Sequence, residues 1–236
     1  RLSDTVKTAL ILNPSFSDLQ LLQMIIRDLG IPCTKTSKLD LVGAITQFLP
    51  SLPGLLVEKE IHYLSKALHP QKPAIWILGG AKLDKIGLIN QALQKADYIL
   101  IGGALAFPFI RAQGIQIGMS RCDSGAVELA QKILAGKEGR KIILPVDFIA
   151  VDNFSLRANT EIVAYNHLAS TQQGLDLGPE TIKLFKFYLR KARTIVWNGP
   201  LGYYEWAKYA TATKEIGRFL GHLTATSIIG GGETAD

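Results

Sequence analysis

Cysteine is scarce in this chain. Two occur in 236 residues, Cys33 and Cys122. They lie too far apart for a metal-ligand spacing and are too few for a disulfide framework, so both are read as reduced structural thiols. Histidine is nearly as scarce: His62, His69, His167 and His222 stand alone, which leaves no histidine cluster for a metal or a proton relay. No stretch approaches the roughly 18 uninterrupted apolar residues of a membrane-spanning helix, so no membrane span is expected. The first residues lack the basic, apolar and small-residue succession of a signal peptide. The expected location is cytoplasmic or, where a transit peptide has been removed, a chloroplast or mitochondrion. Two phosphate-binding signatures are also missing. No GxxxxGK[ST] occurs and no GxGxxG follows a strand, which argues against a P-loop and against a dinucleotide-dependent oxidoreductase.

What remains is the composition of a folded protein, 47% hydrophobic and 19% charged. The net charge of +6 and pI near 9.3 point to anionic partners. Lysines and arginines are read as spread along the chain, with no basic run interleaved with aromatics. A solvated surface or a phosphorylated small ligand is therefore expected, and no nucleic-acid partner.

Short apolar runs alternate with amphipathic patterns. Strands are expected at residues 8–12, 73–78, 98–101, 141–144, 193–197 and 226–229, with a short one near Ile31–Thr34. Leu19, Leu22, Ile26 and Leu29 recur at helical spacing, with Ser17 as cap and Gly30 as stop. Further helices are expected over 55–68, 126–135, 181–189 and 204–220. The alternation predicts an α/β fold: a doubly wound, mostly parallel, Rossmann-like sheet with helices on both faces.

In such sheets ligands bind beyond the carboxyl ends of the strands. Four of those ends open into glycine here: Gly79-Gly80, Gly102-Gly103, Asn198-Gly199-Pro200 and Gly230-Gly231-Gly232. The repetition predicts a rim where backbone approaches a ligand and helix N-termini face an anion. Lys82 and Lys85 follow the first glycine pair. Cations at a helix N-terminus oppose its dipole, which makes sense with a polyphosphate between them. Glu205, after NGPLGYY, suits ribose hydroxyls. Glu233 and Thr234, after the triple glycine, suit Mg²⁺ and phosphates.

The segments FLPSLPGLLVEKEIHYLSKAL, ILGGAKLDKIGLINQAL, ILIGGALAFPFIRAQG, ILPVDFIAVDNF, GLDLGPETI, TIVWNGPLGYYEW and SIIGGGETA, in this order, resemble the nucleotide-binding C-terminal domain of phosphoglycerate kinases. The resemblance covers residues 41–236, with 41–68 as a linker turn and helix, and leaves 1–40 as a short divergent α/β segment. It implies Mg-ADP or Mg-ATP as cofactor and reversible phosphoryl transfer between 1,3-bisphosphoglycerate and ADP. Lys82 would be catalytic, and Lys82 and Lys85 would lie on the phosphates with Gly79, Gly80, Gly102 and Gly103 around them. Gly178, Gly199, Leu201 and Tyr204 would surround the nucleoside and Glu205 would bind the ribose. Asn198, Gly231, Gly232 and Thr234 would lie along the phosphates, and Glu233 would hold the metal.

The pattern departs from the family at several points. AKLDKI has three residues from lysine to lysine where the family has four. Ile86, Ile89 and Leu93 fix the register of the following helix, so Lys85 is expected to keep its place and Lys82 to be displaced by about 100° of helix rotation. Ala104 replaces a third glycine, and Glu233 an aspartate. Residues 1–40 carry none of the family's substrate motifs, so phosphoglycerate would bind through parts absent here. An alternative function follows: a catalytically inactive, kinase-derived structural or nucleotide-responsive subunit, with a protein partner covering an incomplete sheet.

Overall fold

Five apolar runs form one parallel sheet. In a computed structural model that describes residues 18–28, 30–34, 36–48, 67, 69–81 and 85–230, β1 (Ala74–Leu78), β2 (Tyr98–Ile101), β3 (Ile142–Ile143), β7 (Thr194–Asn198) and β8 (Thr226–Gly230) pair in the order β3-β2-β1-β7-β8. β1 and β7 are buried at every position, as strands covered on both faces must be. Ile75, Ile77 and Leu78 are at most 1% exposed, and each contributes about 1.5–3 kcal/mol relative to an exposed side chain. The chain divides into two units, residues 1–69 and 70–236, and this sheet belongs to the second.

Helices α3 (Lys85–Lys95), α4 (Ala106–Ala112), α5 (Ser124–Ala135), α6 (Pro179–Leu189) and α7 (Thr211–Leu220) connect the strands. α3 buries Leu88, Ile89, Ala92 and Leu93, the stripe that fixes its register. Asp123 caps α5, its carboxylate accepting the amides of Gly125 (2.8 Å) and Ala126 (3.3 Å). The architecture is α/β and Rossmann-like, with the strand order reversing between β1 and β7. Ligands of such sheets bind at that reversal.

A second sheet was not expected. β4 (Asp147–Val151), β5 (Thr160–Ala164) and β6 (Gln173–Leu177) form an antiparallel sheet in the order β5-β4-β6. The helix expected over 204–220 is also shorter, beginning at Thr211 after a 3-10 turn over Ala207–Tyr209. The cause lies upstream. The Tyr203 amide is drawn to the Leu175 carbonyl (2.7 Å), and Tyr209 is fully buried with Val151 and Ala158, which a continuous helix would not allow.

In the first unit α1 (Asp18–Asp28) packs on α2 (Lys38–Phe48) through Ile25, Ile26, Ile31, Leu41 and Ile45. Gly30 ends α1 as expected, at φ 65°, its amide bonding the Arg27 carbonyl at 3.1 Å. Residues 31–34 are not a strand, since Ile31 instead closes the helix end through its amide on the Ile26 carbonyl (2.9 Å). α2 opens on a reciprocal cap: Ser37 Oγ accepts the Asp40 amide (3.2 Å) and donates to its carboxylate (2.6 Å). The expected strand at 8–12, the cap Ser17 and nearly all of the helix over 55–68 lie outside the described residues.

Candidate functional site

The glycine turns sit side by side because their strands are in register. Leu78 is level with Ile101 of β2 and Asn198 of β7, and Asn198 with Gly230 of β8. The turns are then stitched together. The Gly79 amide bonds the Asn198 carbonyl (2.9 Å), Gly80 that of Pro200 (2.7 Å), Gly102 that of Leu78 (2.9 Å) and Gly103 that of Leu201 (3.0 Å).

This changes what the glycines are for. A Cβ on Gly103 would come within 2.8 Å of the Gly80 nitrogen and 2.9 Å of the Pro200 oxygen, and one on Gly79 would run into the Gly199 and Pro200 carbonyls. Gly80, Gly103 and Gly199 also hold φ of 86°, 58° and 87°, a region side chains avoid. The glycines let three strand-end loops close on each other, and the amides of Gly79, Gly80, Gly102 and Gly103 already bond backbone carbonyls. An anion at this edge would therefore look to the N-terminal amides of α3 and to side chains.

Beyond the turns lies a cleft of about 670 Å³, within the range of small-molecule sites. One wall is Gly80, Ala81, Gly103 and Ala104. Leu201, Gly202, Tyr204 and Glu205 form the second wall, and β6 the floor. Phe107 and Phe148 stack at 5.0 Å between centroids under the floor, and Phe154 stacks on Trp206 at 4.7 Å at the lip. Arg121, Asp176 and Glu205 are the charged lining residues among the described ones.

Of the residues singled out from sequence, Gly79, Gly80, Gly102, Gly103, Asn198, Gly199, Leu201, Tyr204 and Glu205 meet at this edge. Asn198 is buried at the end of β7, and Leu201 packs its side chain against Gly102. Gly178 stands behind the floor as the N-cap of α6; a Cβ there would run into the Asp147 carboxylate. That carboxylate accepts the amides of Glu180 (3.0 Å) and Thr181 (2.7 Å), so it caps α6 from β4. Lys85 opens α3 by its backbone. Lys82, Gly231, Gly232, Glu233 and Thr234 lie outside the described residues.

Asp176 lies in the GLDLG segment, where nothing in the sequence singles it out. It points in from β6, 2% exposed, and accepts the amides of Leu177 (2.9 Å) and Ala212 (3.1 Å). It thereby caps α7, whose own cap residue, Ala210, has no acceptor to offer. A Cβ on Gly202 would strike this carboxylate and the Tyr209 carbonyl. Burial pushes the Asp176 carboxyl up to about 7, against the pull of its amide donors and with a small push from Glu215. Arg121, Phe107, Phe148, Phe154 and Tyr203 were missed as well. All but Arg121 fall within the family-like segments, but nothing in their local spacing marks them as facing a cleft.

The family model for phosphoglycerate kinase matches residues 40–236. The phosphoglycerate kinase of Lactobacillus helveticus (strain DPC 4571) is 50% identical over 184 residues, 77% of this chain and 45% of that protein. That of Onion yellows phytoplasma (strain OY-M) is 41% identical over 198 residues, 82% and 50%. Among solved structures, phosphoglycerate kinase from Coxiella burnetii aligns with a TM-score of 0.73 at 35% identity, covering 77% of this chain and 48% of that one. The chain spans about half the length of the curated relatives it matches.

Proposed function

The chain belongs to the phosphoglycerate kinase family, and from that premise we propose that its cleft binds ADP or ATP with Mg²⁺ as the nucleotide half of a phosphoryl transfer to or from phosphoglycerate. One observation carries the reading. The strand-end loops and β6 enclose a cleft at the point where the sheet order reverses, with α3 starting beside it. In this reading Tyr204, Leu201, Gly199 and Gly178 shape the nucleoside end, Glu205 accepts the ribose hydroxyls, and Lys82, Lys85 and Thr234 hold phosphates. Asn198 and the Gly231-Gly232 turn keep the backbone near the phosphate chain. Phosphoryl transfer asks a protein chiefly for positioning and charge neutralisation, which lysines and a helix N-terminus supply.

Mg²⁺ bound through a nucleotide needs only one or two protein carboxylates, the phosphates giving the rest. Glu233 is the proposed ligand. When bound, the ion supplies charge neutralisation on the phosphates.

A second reading is favoured by the three-residue lysine step and by Ala104 in the cleft wall: a kinase-derived subunit that binds nucleotide without turnover. β8 offers such a subunit an edge, with Ile229 44% exposed. The test is calorimetric titration with Mg-ADP, with Lys85→Ala as control. Binding near the micromolar range (about −8 kcal/mol) that the variant loses is the expected result. Absence of heat with the wild-type chain overturns both readings, and a turnover assay with phosphoglycerate then separates them where binding is found.

A further inference from the structure

The sheet's opposite end carries a second concentration of charge. Residues 179–193 hold five cations and one carboxylate, four of the chain's net six positive charges. Within them, KLFKFYLRKAR does interleave cations with aromatics, a pattern hidden when charge is averaged along the chain. The fold then sorts these cations into two groups. Lys183 and Lys186 are neutralised by Glu180 (2.6 Å) and Glu215 (2.7 Å). Arg190, Lys191 and Arg193 are exposed, and among the described residues no carboxylate comes within ion-pair distance of any of them.

Three rings run beside them. Tyr98, at the amino end of β2, meets Tyr188 at 4.8 Å between centroids, and Tyr188 meets Phe187 at 5.6 Å. Tyr98 is 37% and Phe187 52% exposed. The Lys191 ammonium sits 4.1 Å from the Phe187 centroid. Arg193 immediately precedes β7, its amide fixed on the Pro73 carbonyl (2.8 Å). Ladder and cations thus share the amino edge of the sheet, a strand length of roughly 16 Å from the glycine turns. Helix stability does not ask for this. Cations in the last turn complement the dipole of α6, but Arg193 lies beyond the helix, and α6 already buries Ile182, Phe185 and Leu189. Phe187 is left in water on another face.

We propose that this edge is a docking surface for single-stranded nucleic acid, with phosphates on Arg190, Lys191 and Arg193 and bases against Phe187 and Tyr98. Charge complementarity selects a polyanion, and exposed rings among unneutralised arginines suit stacked bases. An anionic membrane fits less well: the apolar stripe of α6 faces the core, so only Phe187 stands out far enough to insert.

The experiment is fluorescence anisotropy of a labelled 20-nucleotide oligo(U) with the whole chain, titrated at several KCl concentrations. Binding is expected to weaken with a log–log salt slope near −2, for about three phosphate contacts on a single strand. Lys191→Glu/Arg193→Glu should lose at least tenfold and bring the slope near −0.7. Phe187→Ala should lose about tenfold at an unchanged slope. Lys132→Glu/Lys137→Glu, which removes the same net charge from α5 and the turn after it, should bind as wild type, and saturating Mg-ADP should not compete. Intrinsic tryptophan fluorescence checks that each variant is folded. Equal loss in both double variants would reduce the effect to net charge and overturn the proposal. So would competition by Mg-ADP, an unchanged Phe187→Ala, or binding to phosphatidylcholine–phosphatidylserine vesicles without binding to oligo(U).

Discussion

Asp176 makes the stability of the larger unit depend on pH in a direction opposite to that of most carboxylates. Its carboxyl titrates near 7 in the fold and near 3.8 in an unfolded chain. Between those values the folded state holds a proton that the unfolded state has released, so stability falls as pH rises. Below about 4 both states are protonated and the group is neutral to stability. Above about 7 both are ionised and the full cost of the buried charge is in place, on the order of 4 kcal/mol. Between pH 5 and pH 8 the loss is about 2–3 kcal/mol. The assay is urea unfolding followed by tryptophan fluorescence. Trp76, Trp197 and Trp206 all lie in residues 70–236, so the signal reports that unit. Wild type is compared with Asp176→Asn at fixed ionic strength. The amide introduces an offset of its own, because it sets a donor against one of the two amides. That offset does not vary with pH. The difference between the two proteins should therefore shift in favour of the variant by about 2–3 kcal/mol from pH 5 to pH 8 and level off above. A difference that stays flat would refute the reasoning, since it would mean that the carboxyl is ionised throughout.

Three further outcomes follow from the geometry. Thr181→Val removes the hydroxyl that accepts the amides of Val146 and Asp147, each at 3.0 Å, and donates to the Asp147 carboxylate at 2.5 Å; two donors lose their acceptor, and urea unfolding should register a loss of about 2–4 kcal/mol. Gly103→Ala forces a methyl against Gly80 and Pro200 at positive φ and should cost about 1–3 kcal/mol by the same assay while weakening Mg-ADP binding. Glu205→Ala should weaken binding of ADP more than that of its 2′-deoxy analogue by calorimetry, since only the former offers the full set of ribose hydroxyls; equal losses would remove Glu205 from the ribose.

The parts of this fold that were legible in sequence are those whose burial does not depend on distant partners. IWIL, YILI and TIVW are apolar at nearly every position, and only a strand covered on both faces asks for that. The second sheet escaped because QGLDL mixes glycine and an acid into its run, so nothing local marks it as a strand. Its register with β4 is what buries Leu177 and Asp176. The glycines at the strand ends stand out in the sequence, but what each leaves room for does not. Sequence shows that a turn lacks a side chain and not which neighbour takes the vacated space; here it is another loop, with the cleft one layer further out.

The two buried aspartates carry that argument to its end. Asp147 of β4 caps α6, and Asp176 of β6 caps α7, so the antiparallel sheet supplies both helices with the acceptors that Gly178 and Ala210 lack. A cap taken from its own helix is written in the sequence, as Asp123 and Ser37 are, two or three residues before the amides it receives. A cap supplied across the fold lies more than 30 residues away, 34 for Asp147 to Thr181 and 36 for Asp176 to Ala212. No spacing rule reaches that far. Yet these two carboxylates fix where α6 and α7 begin. Through Gly178 and the turn at Gly202 they also set the back and side of the cleft. Replacing either should move a cleft wall before it unfolds the sheet, so Mg-ADP affinity should respond to Asp176→Asn under conditions where tryptophan fluorescence still reports a folded unit.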